Sequence, residues 1–229
     1  MLSESCVPAL RLAGSSLTVE GWTISPNFRS LITRHARAGM MVEALPGVAV
    51  VASNATTEPI HHVYEPALGV LAQGTKRTVL NDKIFEYRAG QYLVVAVDLP
   101  ITGHVVQASA SEPFLAMGLV LKPANIATLL LETATSDRAV VEPLGLGISN
   151  ASPELLDPVV RLLRLLDRPE DIAVLAPMIE REILWRLLAG RKGAVVRQIG
   201  LWRTAGYRKS AMLSAGSAAT MPRRSRPKN

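Results

Sequence analysis

An alternation of period two runs from Val42 to Leu121, and it constrains the fold more than any other feature of the chain. Short apolar runs recur at spacings of 8–12 residues, and tight turns separate them at Gln73-Gly74-Thr75, Asn81-Asp82 and Arg88-Ala89-Gly90. Successive side chains of a strand point to opposite faces, so this pattern is typical of strands with one face on a core. Short strands joined by tight turns predict an antiparallel β-barrel or sandwich.

Helical periodicity frames this region on both sides. A short helix is predicted at about Asn27–Arg37, and further helices follow Lys122. Thr135–Asn150 is rich in Gly and Pro and predicts a loop. Pro177 cannot donate to a helical hydrogen bond, so a break is expected there, with a new helix over Pro177–Ala189.

The charge distribution separates the end of the chain from the rest. Residues 192–229 contain nine Lys or Arg and no acid, whereas the other 191 residues carry 16 basic and 19 acidic side chains. The body is therefore not a basic nucleic-acid-binding domain. The tail has no apolar pattern and is expected to be disordered, and to contact DNA only non-specifically.

Four parts follow from these patterns. They are a poorly patterned extension (1–26), a helix with a barrel (27–121), a helical dimerisation or linker region (122–191) and the basic tail (192–229). The predicted class is mainly β with appended α.

The leucine-dense segment Glu154–Leu166 places apolar residues on more than one helical face. It can simply be buried against the barrel, but such a wide apolar surface predicts a second contact within or between chains. We expect a homodimer, with the contact formed by Leu155, Val159, Leu162, Leu163 and Leu166.

Five polar or aromatic residues of the β region are candidates for lining a small-molecule cavity. They are Tyr64, Glu65, Gln73, Tyr92 and His104. The alternative is that both tyrosines are ordinary strand aromatics with exposed hydroxyls.

The histidines suggest a metal site, but their spacing opposes one. His61 and His62, with Glu65 and His104 as companions, are adjacent in one predicted strand, so the pleat sends the pair to opposite faces. We expect no metal and no cofactor.

Nucleophile and phosphate motifs are missing as well. The chain has no Gly-x-Ser-x-Gly elbow, and Gly145-Leu146-Gly147 lacks the rest of a phosphate-binding loop. No catalytic residue is assigned, and the protein is not expected to be an enzyme.

The single cysteine, Cys6, excludes an internal disulfide and suits a reducing compartment. The N-terminus lacks the basic and apolar regions of a secretory signal, and the longest apolar runs, such as Tyr92–Val97, are too short to span a bilayer. A cytoplasmic protein without membrane contact is expected.

Several segments together resemble a known family. They are His61–Pro66, Val70–Lys76, Tyr87–Val95, Val97–Pro100, Leu175–Ile183 and Arg186–Leu188. Their order and spacing look like the N-terminal regulatory domain of AraC-type transcriptional regulators, over about residues 28–199. The resemblance implies a cupin-like barrel that senses a small molecule or mediates dimerisation, followed by two helix-turn-helix units that bind promoter DNA.

After Ile199 the sequence departs from that pattern. The family would continue with helix-turn-helix sequence, whereas here an acid-free tail of thirty residues follows. We therefore expect a regulator truncated before its DNA-binding domain, by a frameshift or at a native terminus, with specific DNA binding only in a full-length form. The alternatives are a stand-alone cupin-fold binding protein or enzyme, and a non-functional remnant.

Overall fold

The computed structural model describes residues 26–133 and 145–201, together with the backbone of 18–19 and 22–23. Predictions for the rest of the N-terminal extension, and for the basic tail beyond Leu201, lie outside these residues. Among the helices of the described part, none combines the length and the apolarity needed to cross a membrane.

Two antiparallel sheets form the body, and the predicted mainly β class with appended helices is confirmed. The strands are β1 (Thr18–Val19), β2 (Trp22–Thr23), β3 (Met41–Leu45), β4 (Val48–Ser53), β5 (Ile60–Tyr64), β6 (Ala67–Gln73), β7 (Thr75–Leu80), β8 (Lys83–Arg88), β9 (Gln91–Val95), β10 (Leu99–Gln107), β11 (Phe114–Val120) and β12 (Leu146–Asn150). One sheet has the order β5-β10-β7-β8 and the other β12-β9-β6-β11-β4-β3.

Five helices accompany the sheets in the described residues. They are α1 (Pro26–His35), α2 (Pro123–Glu132), α3 (Pro153–Arg164), α4 (Pro169–Ala189) and α5 (193–201). A 3₁₀ turn, Leu165–Asp167, joins α3 to α4.

The alternation of the strands builds two separate cores. In β9, Leu93 and Val95 face the four-stranded sheet and belong to a core between the two sheets. Tyr92 and Val94 of the same strand face the other way, into a larger core that the six-stranded sheet shares with the helices. The result is a barrel-like pair of sheets with a helical layer on one side.

Two tight connections close the barrel at the predicted positions. Asn81 adopts a left-handed φ of 52° in the hairpin between β7 and β8. Gly74 has a φ of +81°, and a Cβ there would lie 2.6 Å from the Gln107 carbonyl oxygen. Only glycine accommodates both that backbone conformation and that close approach.

Three predicted boundaries are corrected. Within the expected loop Thr135–Asn150, Leu146–Asn150 forms β12, because it pairs with the edge of β9. The helix expected to break at Pro177 is continuous as α4, since packing of its buried face maintains it across the missing hydrogen bond. The tail expected to start at residue 192 is helical over 193–201, where Val195, Val196 and Ile199 are buried.

Candidate functional site

A polar cluster lies between the two sheets, on the inner face of the four-stranded sheet. Lys76 stands opposite Tyr87 across the β7–β8 ladder, and Thr78 stands opposite Phe85. Directly opposed residues share a face, and Tyr87 belongs to the inter-sheet core, so Lys76 and Thr78 point inwards. The surrounding buried side chains are apolar: Leu71, Leu80, Leu93, Val95, Ile101, Val105, Phe114, Ala116 and Leu146.

Lys76 is the charged member of this cluster. Its Nζ donates a hydrogen bond of 2.9 Å to the Tyr64 hydroxyl and lies 5.5 Å from the centre of the Tyr64 ring. Among the described residues, no carboxylate lies within 4 Å of Nζ. The ammonium therefore stands between the sheets with a phenol as its partner and without a counter-ion from the described chain.

The protonation states of the cluster follow from burial and from its members' proximity. Burial acts to lower the pKa of Lys76, but the Tyr87 and Tyr64 phenols outweigh it, so the pKa is raised. Burial raises the pKa of Tyr87 to about 12, although Lys76 opposes that rise. At neutral pH the cluster thus holds a charged ammonium and a protonated Tyr87 phenol.

Thr78 and two glycines complete the surroundings. Thr78 is 0% exposed, and its hydroxyl lies close to the Tyr87 phenol without a hydrogen bond of normal geometry. A Cβ at Gly103 would lie 3.4 Å from both Lys76 Cε and Tyr64 Oη, and one at Gly69 would lie 3.9 Å from Tyr87 Oη. The two glycines let the backbones of β10 and β6 pass close to these polar side chains.

Tyr64 is the candidate that the structure places in this cluster. Glu65 follows directly after β5, and its side chain is exposed. The structure thus brings one of the five predicted ligand-binding residues to the inner face and leaves Glu65 at the surface beside it.

Gln73 faces away from the barrel interior, contrary to the expectation. A register shift at the β6–β11 ladder pairs Leu115 with Gln73 and Ala116 with Leu71, so one residue of β6 bulges out. The bulge turns Gln73 to the helical side, where it accepts a hydrogen bond from Arg29 and donates one to the Pro113 carbonyl.

Tyr92 and His104 also lie off the inner face. Tyr92 belongs to the core beneath the helices, because Leu93 and Val95 take the inward positions of β9. His104 pairs with Arg77 on the outer face of the four-stranded sheet, and its buried Nδ1 has no hydrogen-bond partner in the described chain. The expectation that these side chains line a cavity is corrected.

Sequence reasoning missed Lys76, Thr78 and Tyr87. One signal was available in the sequence. Lys76, Thr78 and the apolar Leu80 occupy every second position of the predicted strand, so their side chains share one face. The pattern did not show which face of that strand was inward.

The adjacent histidines occupy opposite faces, as their spacing predicted. His62 stands opposite the inward Ile101, whereas His61 stands opposite Thr102 and lies 2.7 Å from its hydroxyl. His62 packs edge-on against Tyr64, with ring centres 5.1 Å apart. In the described residues no three metal-binding side chains lie together.

The residues expected to form a dimer contact are buried within the chain. Leu155, Val159, Leu162 and Leu163 are at most 4% exposed, and Leu166 packs against the same core. The wide apolar surface of α3 is covered by α1, α4 and the barrel rather than by a second copy. The predicted contact through α3 is corrected for this reason.

Solved structures resemble the chain only distantly. Apo ToxT from Vibrio cholerae is 7% identical with a TM-score of 0.45, and the match covers 65% of this chain and 58% of that one. A cupin-2 domain protein from Shewanella frigidimarina is 12% identical with a TM-score of 0.29, covering 42% of this chain and 93% of that one. YhaK from Escherichia coli is 16% identical with a TM-score of 0.30, covering 46% and 40%.

The chain thus spans less than two thirds of the ToxT length. No curated protein matches it. A family model for the N-terminus of AraC-type transcriptional regulators matches residues 44–195, which include β4–β12 and the helices α2, α3 and α4. The chain therefore belongs to the family of AraC-type transcriptional regulator N-terminal domains.

Proposed function

We propose that this chain is the effector-sensing domain of an AraC-type transcriptional regulator and binds a small molecule between its two sheets. The observation that carries the proposal is the cluster of Lys76, Tyr64, Tyr87 and Thr78 in an otherwise apolar interior. A buried hydroxyl without a well-formed hydrogen bond costs stability, and a core of aliphatic side chains would avoid that cost. A bound ligand that supplies the missing partners offsets it.

A ligand at this site has a direct structural connection to the helices through β9. Leu93 and Val95 face the ligand side of this strand, and Tyr92 between them faces the helical side. The Tyr92 hydroxyl lies close to Ser149 of β12 and to the backbone of Lys192, at the junction of α4 and α5. A small shift of β9 on ligand binding therefore moves this junction.

The α4–α5 junction packs closely against the barrel. A Cβ at Gly147 of β12 would lie 2.8 Å from Lys192 Cδ. Two elements in such contact move together, and this coupling is the basis we propose for regulation. The proposal assigns no catalytic step to the chain.

A homodimer is the second part of the proposal, with α4 rather than α3 as the contact. Val174, Met178 and Trp185 are 66%, 63% and 40% exposed. With Arg181, their spacing of three to four residues places them along one stripe of the helix. An exposed apolar stripe on a helix is typical of a surface that packs against a partner.

The charges at the two ends of α4 favour a second copy as that partner. Glu170 and Asp171 lie in the first turn, whereas Arg186 lies in the last turn and Arg191 just beyond it. When two copies cross antiparallel about a twofold axis, the acidic end of each helix meets the basic end of the other. The apolar stripe then lies at the centre of the contact.

In this proposal the regulator acts in the cytoplasm. The basic residues of 192–229 contribute salt-sensitive contacts with phosphates in this proposal.

The sensing function is tested with a variant that fills the site. Gly103 lies on the inner face of β10, and the neighbouring Thr102 lies on the outer face. We expect metabolite panels to contain compounds that raise the Tm of the chain, and expect Gly103→Val to abolish the shift while Thr102→Val retains it. The measurement is differential scanning fluorimetry, followed by calorimetric titration. A stabilising compound that acts equally on both variants would place binding elsewhere.

A further inference from the structure

We propose that the ligand of the inter-sheet site is a small organic anion, with a carboxylate bound by Lys76, Tyr87 and Thr78 and an apolar body against the surrounding aliphatic side chains. This inference rests on the proposed sensing function and adds the chemical class of the effector.

The cluster has more hydrogen-bond donors than the described chain uses. The Lys76 ammonium has three N–H groups, and the structure uses one of them, on Tyr64. Tyr87 keeps its phenolic proton at neutral pH, and the Thr78 hydroxyl is without a hydrogen bond of normal geometry. A carboxylate accepts hydrogen bonds at both oxygens and donates none, so it matches this set.

The positive charge of Lys76 favours an anionic ligand. No carboxylate of the described chain lies within 4 Å of Lys76 Nζ. A cationic ligand would be repelled, and a neutral polyol would leave the ammonium uncompensated. An anion neutralises it at short range, where low dielectric makes the attraction strong.

The site has a partly exposed polar rim and an apolar interior. Lys76 and Tyr64 each remain partly exposed beside the edge strand β5, so a ligand reaches the ammonium from solvent. Further in, Ile101, Val105 and Leu93 form an apolar wall. A Cβ at Gly103 would contact Lys76 Cε and Tyr64 Oη at 3.4 Å, so glycine lets the backbone of β10 lie close to both groups. A polar head near the rim and an apolar body inside fit this gradient.

The experiment compares matched anionic and neutral probes on the full chain. Hexanoate and benzoate are titrated beside hexanamide and benzamide, with inorganic phosphate as a third arm, and binding is measured by calorimetry and by the shift in Tm. The variants are Lys76→Met, which keeps the length and apolar stem of the side chain, and Lys83→Met, an exposed lysine of β8, as the control.

We expect the carboxylates to bind and the amides to bind at least tenfold more weakly. Charge-assisted hydrogen bonds of this kind correspond to about ten- to hundredfold in affinity. Lys76→Met removes that preference, and Lys83→Met keeps it. Gly103→Val, which retains Lys76, serves as a second variant and abolishes carboxylate binding.

The possible failures are distinct. Equal binding of amides and carboxylates, blocked by Gly103→Val, would overturn the anionic class and leave the sensing site standing. Phosphate binding as tight as that of the organic acids would overturn the organic part of the assignment. No carboxylate binding at millimolar concentration, or binding unaffected by Lys76→Met, would overturn the inference. The metabolite panel tests the proposed function independently of these results.

Discussion

At the scale of single residues, the pleat of β7 gives two neighbouring basic side chains different roles. Arg77 points outwards and forms a salt bridge of 2.8 Å with Glu86 on the exposed face of the sheet. Such surface pairs contribute about 0–1 kcal/mol. Lys76, one position earlier, points inwards and has a phenol instead of a carboxylate as its partner. The same kind of charge is therefore paired with a carboxylate at one position and with a phenol at the next.

Because Tyr87 is buried and its pKa is raised, the free energy of unfolding should depend on pH in the alkaline range. Its pKa is about 12 in the folded chain, against 10.0 for the ordinary phenol. Below pH 10 the Tyr87 phenol is protonated in both the folded and the unfolded chain, so its contribution to stability is fully present. As pH rises from 10 to 12 the unfolded chain ionises first, so about 2–3 kcal/mol of stability is lost. Denaturant titrations between pH 8.5 and 11.5 should show this loss.

The control for this prediction is the phenol of the same cluster that lies nearer the surface. Tyr87→Phe should flatten the decline in unfolding free energy above pH 10, whereas Tyr64→Phe, which leaves the Tyr87 phenol in place, should preserve it. Identical alkaline slopes in Tyr87→Phe and the unmodified chain would show that Tyr87 ionises equally in both states.

At the scale of elements, α4 shows how packing overrides a local break. Pro177 is exposed on the outer side of the helix, while Ala176, Ile179 and Ile183 are buried on the inner side. Proline removes one backbone hydrogen bond and costs about 3 kcal/mol in a helix interior. The buried face of a helix of 21 residues compensates for that loss.

Replacing this proline should stabilise the protein. Pro177→Ala restores the missing N–H and gives up little packing, so we expect the unfolding free energy to rise by about 1–3 kcal/mol. The matched control is Pro158→Ala in α3, where the proline is buried and its removal also loses core contact. Urea titration measures both. A lower stability of Pro177→Ala would mean that the proline's own geometry is required for packing α4.

At the scale of the whole molecule, α3 and α4 differ in how much of their apolar surface the described part of the chain covers. The apolar surface of α3 is buried within the chain, in the larger core that it shares with α1, α4 and the six-stranded sheet. The stripe of Val174, Met178 and Trp185 on α4 remains exposed. Dimerisation therefore belongs to the outer surface of α4 in our proposal.

The dimer is tested by charge placed in that stripe. Met178→Asp and Trp185→Asp should each convert the dimer to a monomer at tens of micromolar, because a carboxylate would be buried in the contact without a partner. Val63→Asp, at an exposed position of β5, should leave the dimer intact. Light scattering coupled to size-exclusion chromatography gives the mass. A monomeric unmodified chain, or dimers in all variants, would contradict the assignment.

Much of the element pattern follows from the sequence because its signals are local. The period-two runs between Val42 and Leu121 and the Asn81-Asp82 turn predict the strands and the hairpin, and the same segments carry the family resemblance. β12 carries no such signal, since Leu146–Asn150 becomes a strand only by pairing with β9. α5 likewise depends on burial of Val195, Val196 and Ile199 in the larger core.

The candidate site likewise has features that follow from local sequence and features that depend on tertiary packing. By itself the sequence determined that alternate residues of a strand share a face, and so that His61 and His62 separate and that Lys76, Thr78 and Leu80 lie together. Only the tertiary structure decided which face is inward, because a bulge at β6 and the position of the helical layer set it. Those two features turn Gln73 and Tyr92 outwards to the helices and leave Lys76 and Tyr87 between the sheets. Alternation is a property of neighbouring residues, whereas inside and outside depend on what packs against each face.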